Sequence, residues 1–351
     1  MKISFVLDLI PRYPIGGVKI IFKYANHFAE KGHDVKILFC SNFLMSKEKY
    51  LPYGIRKAIV QTYLWKGVSW FKIDSKVKRI CIDSISDNDV PDGDVIFATA
   101  APTAERVARL SSLKGKKYYL IQDYEAWAGE EGYVEKTYQL GMNNITIADW
   151  LCKKVSNISG KKAILIRNPI DTEVFKITVA PDARFNHSIA MVCQTDERKG
   201  FKYGLEAIIR IKELFPDTKC TIFGVSKRDA VIPEWIEYKQ NVTEAEAVRI
   251  YNGAAIFLCS SISEGYGLCG AESMACGCAL VSTDYEGVHS YATENEDVLL
   301  SETKNIDAMM DNIKLLFENN DLRIKIAQKG NENIQKISWK KAFELMDDLI
   351  C

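Results

Sequence analysis

Two glutamates flank a run of glycines in the second half of the chain, and their spacing suits a sugar attached to phosphate. Glu264 precedes the glycine-rich residues 265–270, and Glu272 follows them. The apolar residues 254–259 predict a strand that leads through this turn into a short helix. Free backbone N–H groups at a helix N-terminus bind anions, whereas carboxylates accept hydrogen bonds from sugar hydroxyls. A capped helix N-terminus without ligand is the alternative interpretation.

The same glycines also suit a different enzyme class. Gly265, Gly267 and Gly270 spell G-x-G-x-x-G, and Asp284 follows the next predicted strand, as in a dinucleotide-binding fingerprint. Residues 260–264 separate the strand from the first glycine, and the fingerprint requires neither glutamate. An NAD-dependent dehydrogenase or epimerase, and a non-catalytic sugar-nucleotide-binding protein, are therefore kept as alternatives.

Residues 264–277 resemble the signature of the retaining glycosyltransferases of family 4, E-G-F/Y-G-L-x-x-x-E-A-M-A-C-G. This chain reads E-G-Y-G-L-C-G-A-E-S-M-A-C-G. The resemblance implies that Glu264 contacts the donor sugar and that Glu272 holds the nucleotide ribose. It also implies a nucleotide-sugar donor, UDP-, dTDP- or GDP-linked, and no cofactor. The donor contacts expected within the motif are Gly265, Tyr266, Gly267 and Leu268.

A second anion site is predicted where the C-terminal half begins its own strand and helix pattern. Arg198 and Lys199 precede Gly200, which opens a predicted helix after the strand at residues 188–193. Cationic side chains beside a helix N-terminus suit a diphosphate. A solvated loop without ligand is the alternative. The resembled family has R…K-G here. Lys199 and Gly200 match, Cys193 occupies the usual upstream arginine position, and Arg198 is expected to substitute.

The N-terminal half offers candidate residues for the acceptor side. A predicted loop with Gly16 and Gly17 follows the first strand, and glycine allows close approach of the backbone to a phosphate or an acceptor; a tight turn is the alternative. The resemblance implies that this loop, with Gly17, faces the donor diphosphate across the cleft. Asp123 and Glu125 follow the strand at residues 117–122, and side chains at the carboxyl ends of parallel strands line the binding crevice. Asp123 is the candidate acceptor-side base. Residues 122–125 resemble the branch that includes bacterial cell-surface rhamnosyltransferases.

Strand and helix patterns alternate along the chain, as in parallel α/β sheets. With the resemblance, this predicts two Rossmann-like α/β domains facing each other across a cleft, the GT-B architecture. The expected N-terminal, acceptor-side domain spans residues 1–168, with the C-terminal helix 338–351 crossing back to it. The expected nucleotide-sugar-binding domain spans residues 169–337.

Composition indicates an ordinary globular protein and excludes some classes of function. The 351 residues are 47% hydrophobic and 26% charged, with zero net charge, so no nucleic-acid partner is indicated. The ten cysteines are scattered without a C-x-x-C pair, which favours reduced thiols in a cytoplasmic protein. The apolar N-terminal run contains Asp8 and reads as a buried strand rather than a signal peptide. No apolar run has the length of a membrane span.

Residues 45–80 differ from the rest of the chain. They contain nine basic and two acidic residues, a net charge of +7, interleaved with six aromatic side chains. Such a surface suits peripheral contact with anionic lipid at the inner face of the membrane, or an acceptor that carries diphosphate. A solvated basic surface is the alternative.

The resemblance implies a retaining transfer to a glycan or lipid-linked acceptor in cell-surface polysaccharide synthesis. The leaving diphosphate requires stabilisation of negative charge, which Lys199, Arg198 and the helix N-terminus at Gly267 can supply. A metal ion is then unnecessary, and no obvious D-x-D metal motif is present, since the D-G-D run at residues 92–94 lies just before a strand. Glu264 is expected to orient the sugar and to stabilise positive charge at its anomeric carbon.

Overall fold

The computed structural model describes residues 1–41 and 50–350, so the first part of the basic segment, residues 45–49, lies outside the described residues. The chain divides into two compact units. The first comprises Met1–Ile166 and Phe343–Cys351, and the second comprises Arg167–Ala342.

The first unit is built on a seven-stranded parallel sheet in the order β3-β2-β1-β4-β5-β6-β7. Its strands are β1 (Lys2–Leu7), β2 (Asp34–Cys40), β3 (Lys78–Ile82), β4 (Val95–Ala98), β5 (Lys116–Ile121), β6 (Asn143–Thr146) and β7 (Ile164–Leu165). Its helices are α1 (Gly16–Glu30), α2 (Tyr53–Lys66), α3 (Ala101–Ala108), α4 (Tyr133–Tyr138) and α5 (Asp149–Ser159). The central strands β1 and β4 are mostly apolar and are buried beyond Lys2, because parallel strands covered by helices are buried on both faces.

The second unit repeats the plan with a six-stranded parallel sheet in the order β10-β9-β8-β11-β12-β13. Its strands are β8 (Ser188–Cys193), β9 (Lys219–Gly224), β10 (Glu237–Gln240), β11 (Ile256–Cys259), β12 (Ala279–Thr283) and β13 (Val298–Ser301). Its helices are α6 (Phe201–Leu214), α7 (Glu244–Gly253), α8 (Leu268–Ala275), α9 (Ile306–Glu318) and α10 (Asn320–Ile334). The expected α/β class with two parallel-sheet domains is confirmed.

Each sheet has a topological switch point, where successive crossovers leave in opposite directions. In the first sheet it lies between β1 and β4, and in the second between β8 and β11. Ligands of open α/β sheets bind outside the carboxyl ends of the strands at such points. The residues that directly follow these four strands are therefore those that the fold presents to ligands.

The last helix, α11 (Trp339–Ile350), begins in the second unit and ends in the first. Its end is fastened to the first unit by polar contacts. His27 Nε2 lies 3.0 Å from both carboxylate oxygens of Asp347, and the hydroxyl of Tyr118 donates to the carbonyl of Leu349 over 2.7 Å. The ring of His27 also stacks on Phe343. The C-terminal residues thus complete the first unit.

The predicted loop at Gly16 and Gly17 is a helix in the structure, because α1 begins at Gly16. Two glycines in sequence indicate a loop by propensity, but the helix buries Val18, Ile20 and Ile21 directly behind them. That apolar face holds the first turn in place. Gly17 accordingly lies at a helix N-terminus rather than in a flexible connection.

Candidate active site

The switch point of the second sheet brings together two loops that the sequence singled out separately. The loop after β8 contains Arg198 and Lys199, and the loop after β11 contains Glu264. The backbone carbonyl of Arg198 accepts hydrogen bonds from Ile262 N over 2.6 Å and from Ser263 N over 3.2 Å. These backbone contacts fix the cationic loop against the glutamate-bearing loop.

Lys199 and Glu264 form an ion pair at this junction. Lys199 Nζ lies 3.1 Å from Glu264 Oε2, and both side chains are largely buried. Ser261 Oγ donates to the other carboxylate oxygen, Oε1, over 2.5 Å. Burial by itself lowers the pKa of the Lys199 ammonium, but the Glu264 carboxylate outweighs it, so the pKa is raised. The site therefore holds a charged ammonium group beside an oriented carboxylate.

Gly200 permits the two loops to approach this closely. It has φ +59°, and a Cβ atom there would lie 2.0 Å from the carbonyl oxygen of Ser260. A side chain at this position would collide with backbone, which has little freedom to move. The glycine also acts as the N-cap of α6.

The glycine-rich turn is held by two buried tyrosines. Gly267, the N-cap of α8, has φ +99°, and a Cβ there would lie 2.0 Å from the hydroxyl of Tyr285. A Cβ on Gly270 would lie 2.4 Å from the hydroxyl of Tyr291. These two hydroxyls are hydrogen-bonded to each other over 2.7 Å. The tyrosine pair thereby sets the position of the α8 N-terminus.

The other candidate residues of the donor site differ in which of their atoms can face a ligand. Glu272 lies within α8 and is partly exposed, and Leu268 is the first residue of that helix. Tyr266 is only 2% exposed, and its ring packs at a tilt on Tyr291. The side chain of Tyr266 therefore belongs to the packing of the turn, and only backbone atoms of this residue can face a ligand.

Arg198 is engaged within its own loop. Its guanidinium Nη2 lies 2.8 Å from Asp196 Oδ2, and its backbone N–H donates to Asp196 Oδ1. Burial raises the pKa of Asp196, but the hydrogen bonds and charge of Arg198 outweigh it, so the pKa is lowered. The positive charge of Arg198 is thus partly neutralised, whereas the ammonium of Lys199 lies against the glutamate of the signature motif.

Trp235 and Tyr238, two aromatic residues at and just before β10, occupy packed positions. Trp235 is packed against the hydrophobic core of the second unit, with Lys212 Nζ 4.8 Å from its ring centroid. The hydroxyl of Tyr238 donates to the carbonyl of Ser226 over 2.6 Å. Both rings are held by contacts within the domain.

In the first unit, the predicted residues collect at the carboxyl end of β5. Asp123 is partly exposed and accepts a hydrogen bond from Tyr124 N over 2.8 Å. Glu125 is 7% exposed, and its Oε2 accepts from the backbone N–H of Ala101 at the start of α3. Gln122 Nε2 donates over 3.0 Å to the carbonyl of Gly17, which connects the β5 loop with the start of α1.

Burial raises the pKa of Glu125 to about 8, against the effect of the Ala101 N–H, and the charges of Asp8 and Asp123 contribute to the rise. Asp8, which directly follows β1, is 3% exposed, and burial raises its pKa to about 6. Asp8 carries no sequence motif. The only signal for it was a charged residue that ends a buried parallel strand.

Among residues 1–41 and 50–350, no group of three or more His, Cys, Asp or Glu side chains is arranged to hold a metal ion. Within the same residues, no helix combines the length and the apolar character needed to cross a bilayer.

The second unit contains a segment that matches a known protein family. Residues 186–333 match the family model described as glycosyl transferases group 1. This segment includes both switch-point loops, α8 and the tyrosine pair. Residues 186–333 are a group 1 glycosyltransferase domain.

Relatives of this glycosyltransferase domain include the phosphatidyl-myo-inositol mannosyltransferase of Mycobacterium tuberculosis. It is 22% identical over 223 residues, which are 60% of this chain and 59% of the mannosyltransferase. An N-acetylgalactosaminyltransferase of Campylobacter jejuni that acts on N,N'-diacetylbacillosaminyl-diphospho-undecaprenol is 30% identical over 89 residues, 25% of this chain and 24% of that enzyme. The matches thus span about three fifths or less of these relatives.

The fold of the whole chain has a counterpart among glycosyltransferases of the GT-B class. HepE from Anabaena, solved in complex with UDP-glucose, superposes with a TM-score of 0.75 at 12% identity, covering 99% of each chain. The expected GT-B fold class is thereby confirmed. The rhamnosyltransferase branch finds no support among these relatives.

Proposed function

We propose that this protein is a retaining glycosyltransferase that moves a sugar from a nucleoside-diphosphate donor to a hydroxyl of a glycan or lipid-linked acceptor. The observation that carries the proposal is the Lys199–Glu264 pair at the switch point of the group 1 glycosyltransferase domain. HepE binds UDP-glucose, and the Campylobacter relative acts on a lipid-linked saccharide. Polysaccharide synthesis at the cytoplasmic side of the membrane is the setting we propose.

The donor binds with its diphosphate at the N-terminus of α8, where Gly265, Gly267 and Leu268 supply backbone N–H groups. Lys199 balances the charge of the phosphates, and Arg198 adds to it when its guanidinium turns from Asp196. Glu272 binds the ribose hydroxyls. A carboxylate on the first turns of a helix can accept hydrogen bonds from these hydroxyls. It does so without competing with the phosphates.

In the transfer, the bond between the anomeric carbon and the phosphate oxygen breaks, and its electron pair leaves with the nucleoside diphosphate. The acceptor oxygen forms the new bond on the same face, within the ion pair. Lys199 and the α8 N-terminus stabilise the charge that develops on the leaving group, and Glu264 faces the positive anomeric carbon. The acceptor proton passes to a base, for which Asp123 is the candidate.

The test is a panel of UDP-, dTDP- and GDP-sugars, including dTDP-rhamnose because residues 122–125 resemble that branch. Nucleotide binding is measured by thermal shift, and slow donor hydrolysis by release of the nucleoside diphosphate. NMR of the transferred sugar reports whether the anomeric configuration is retained. Binding of NAD, with no shift by any nucleoside diphosphate, would instead support a dehydrogenase or epimerase.

Metal independence is part of the proposal, because Lys199 and the helix N-terminus supply the positive charge that a metal would otherwise provide. We expect EDTA to leave donor hydrolysis unchanged. Loss of activity in EDTA that returns with Mg²⁺ or Mn²⁺ would contradict this part.

The basic segment supplies a membrane contact in this proposal. Tyr50, Ile55 and Trp65 are 82%, 50% and 84% exposed on and before α2. Arg12 and Lys66 line the same groove as Ile55. Apolar side chains beside cations suit the interface of an anionic bilayer.

Co-sedimentation with vesicles tests this contact. We expect binding to vesicles that contain phosphatidylglycerol and weak binding to pure phosphatidylcholine. The double variant Ile55→Ser, Trp65→Ser should lose the binding. Leu113→Ser, which changes a 67% exposed leucine elsewhere in the first unit, is the matched control.

A further inference from the structure

The switch point of the first sheet holds a buried carboxyl group with one oxygen that has no hydrogen-bond partner among the described residues. Asp8 directly follows β1 and is 3% exposed, yet its Oδ2 has no hydrogen-bond partner among the described residues. Gln122 Oε1 is a second buried oxygen without a hydrogen-bond partner among the described residues. The amide nitrogen of the same side chain donates to the carbonyl of Gly17. A buried acceptor without a donor costs about 1–3 kcal/mol. Two such acceptors at one edge of the sheet indicate a ligand that brings donors.

Glu125 lies at the same edge of the sheet, in the loop that follows β5. Its Oε2 accepts from Ala101 N, directly behind β4, the strand on the other side of the switch point from Asp8. Asp8 is close enough for its charge to disfavour ionisation of Glu125. The other titratable groups that face Glu125 are Asp123, Tyr119, Tyr133 and Tyr138. The pair is thus surrounded by acids and phenols.

The two switch points therefore present opposite chemistry. In the second sheet, the Glu264 carboxylate is matched by the Lys199 ammonium, which suits a sugar that carries phosphate. In the first sheet, the carboxyl groups face one another and amide or phenol groups, which repels an anion. Ligand hydroxyls can donate to Asp8 and Gln122 and remove the cost of their burial.

We infer that Asp8 and Gln122, with Glu125 beside them, bind hydroxyls of the acceptor, and that they exclude an anionic sugar as the accepting residue. This inference rests on the proposed function and adds the acceptor class to it. Asp8 acts as a positioning and selecting residue. Its carboxylate accepts the hydrogen bond from the sugar, and Glu125 keeps the pair at low charge while it caps α3.

The test uses the full-length protein with UDP and saturation-transfer NMR of two matched probe sets. The neutral set is methyl α-glucoside, methyl α-mannoside and methyl α-galactoside, and the charged set is the corresponding 6-phosphates. We expect signals from at least one neutral glycoside and none from the charged set. Silence of every neutral glycoside, or binding of a 6-phosphate in its place, would overturn the inference.

Asp8→Leu and Glu131→Gln are the variant and its control, because Glu131 is an exposed acid of the β5 loop. Asp8→Leu should reduce the neutral-glycoside signal at least fivefold while Tm stays equal or rises, since the variant removes an unpartnered buried carboxyl group. Glu131→Gln should change neither. A large fall in Tm for Asp8→Leu would assign Asp8 a structural role, and an unchanged neutral-glycoside signal would remove Asp8 from the acceptor site.

The thermal shift by UDP separates this inference from the proposed function. If UDP stabilises the wild type and Asp8→Leu equally, the donor site is intact and only the acceptor contact is in question. If none of UDP, dTDP and GDP stabilises either protein, the proposed function itself fails.

Discussion

Gly200 and Ser260 are in contact across the two loops that carry the ion pair, since a Cβ on the glycine would lie 2.0 Å from the serine carbonyl oxygen. The cationic loop therefore reaches the glutamate loop only with hydrogen at this position. Lys199, the preceding residue, depends on this approach for its 3.1 Å contact with Glu264. The geometry of the charge pair thus follows from one missing side chain.

Gly200→Ala should separate the two loops. The left-handed backbone and the collision with Ser260 together should cost about 2–5 kcal/mol of stability, and stabilisation by nucleoside diphosphates should be lost. Tm and the UDP thermal shift measure the two effects. Gly253→Ala is the matched control, because no atom beyond the local backbone of α7 lies within 4 Å of its Cβ position. That variant should keep its Tm and its UDP shift.

Lys199→Ala should abolish transfer while the fold survives. Removal of a group that stabilises leaving-group charge is expected to lower turnover by about 100-fold or more. Donor hydrolysis and circular dichroism measure activity and folding. Lys202→Ala, at an exposed lysine of the adjacent α6, should behave as wild type. Turnover retained in Lys199→Ala would remove Lys199 from the mechanism.

Glu272→Ala should weaken binding of the donor, because the ribose hydroxyls lose their hydrogen-bond acceptor. Loss of hydrogen bonds to a charged acceptor, about 1.5–3 kcal/mol, should raise the Kd for UDP by about tenfold or more. Isothermal calorimetry measures this, with Glu286→Gln as the control because Glu286 is an exposed acid of the same domain. Equal affinities for both variants would mean that the ribose binds elsewhere.

Glu125→Gln should flatten the pH dependence of stability. Burial raises the pKa of Glu125 from 4.5 to about 8, so the folded state binds the proton more tightly than the unfolded state. The contribution of Glu125 to the free energy of unfolding is fully present below about pH 4.5 and is lost as the pH rises towards 8. The loss is about 1.4 kcal/mol for each pH unit between these values. The amide can still accept from Ala101 N. Denaturation at pH 5, 6.5 and 8 should therefore show that the free energy of unfolding falls more steeply with pH for wild type than for Glu125→Gln. Parallel curves would contradict the raised pKa of Glu125.

The sequence predicted the parts of the candidate site that lie within one stretch of chain. Lys199 with Gly200, and Glu264 with the α8 N-terminus, follow from glycine, charge and strand patterns that are local. The contact between Lys199 and Glu264 is not local, because it depends on β8 and β11 being neighbours in the sheet. Ser261, which orients Glu264, has no distinguishing pattern of its own.

The residues that local patterns missed or misread are those whose role comes from packing. Tyr285 and Tyr291 fix the glycine turn from a different loop, and the sequence offers no sign of their hydroxyl pair. Tyr266 belongs to the motif, yet its ring is buried. Asp8 is one acid at the end of a strand, and only the sheet order places it beside Glu125.

The return of α11 to the first unit makes the second unit an insertion within the first. Ile170 N donates to the carbonyl of Ile337 over 3.2 Å, so the incoming and outgoing chain segments run side by side where they enter the second unit. Residues 167–342 can therefore be excised with their two ends already adjacent. A shortened gene that ends before Asp347 would instead leave the first unit without its closing piece, although every residue of the glycosyltransferase domain would still be encoded.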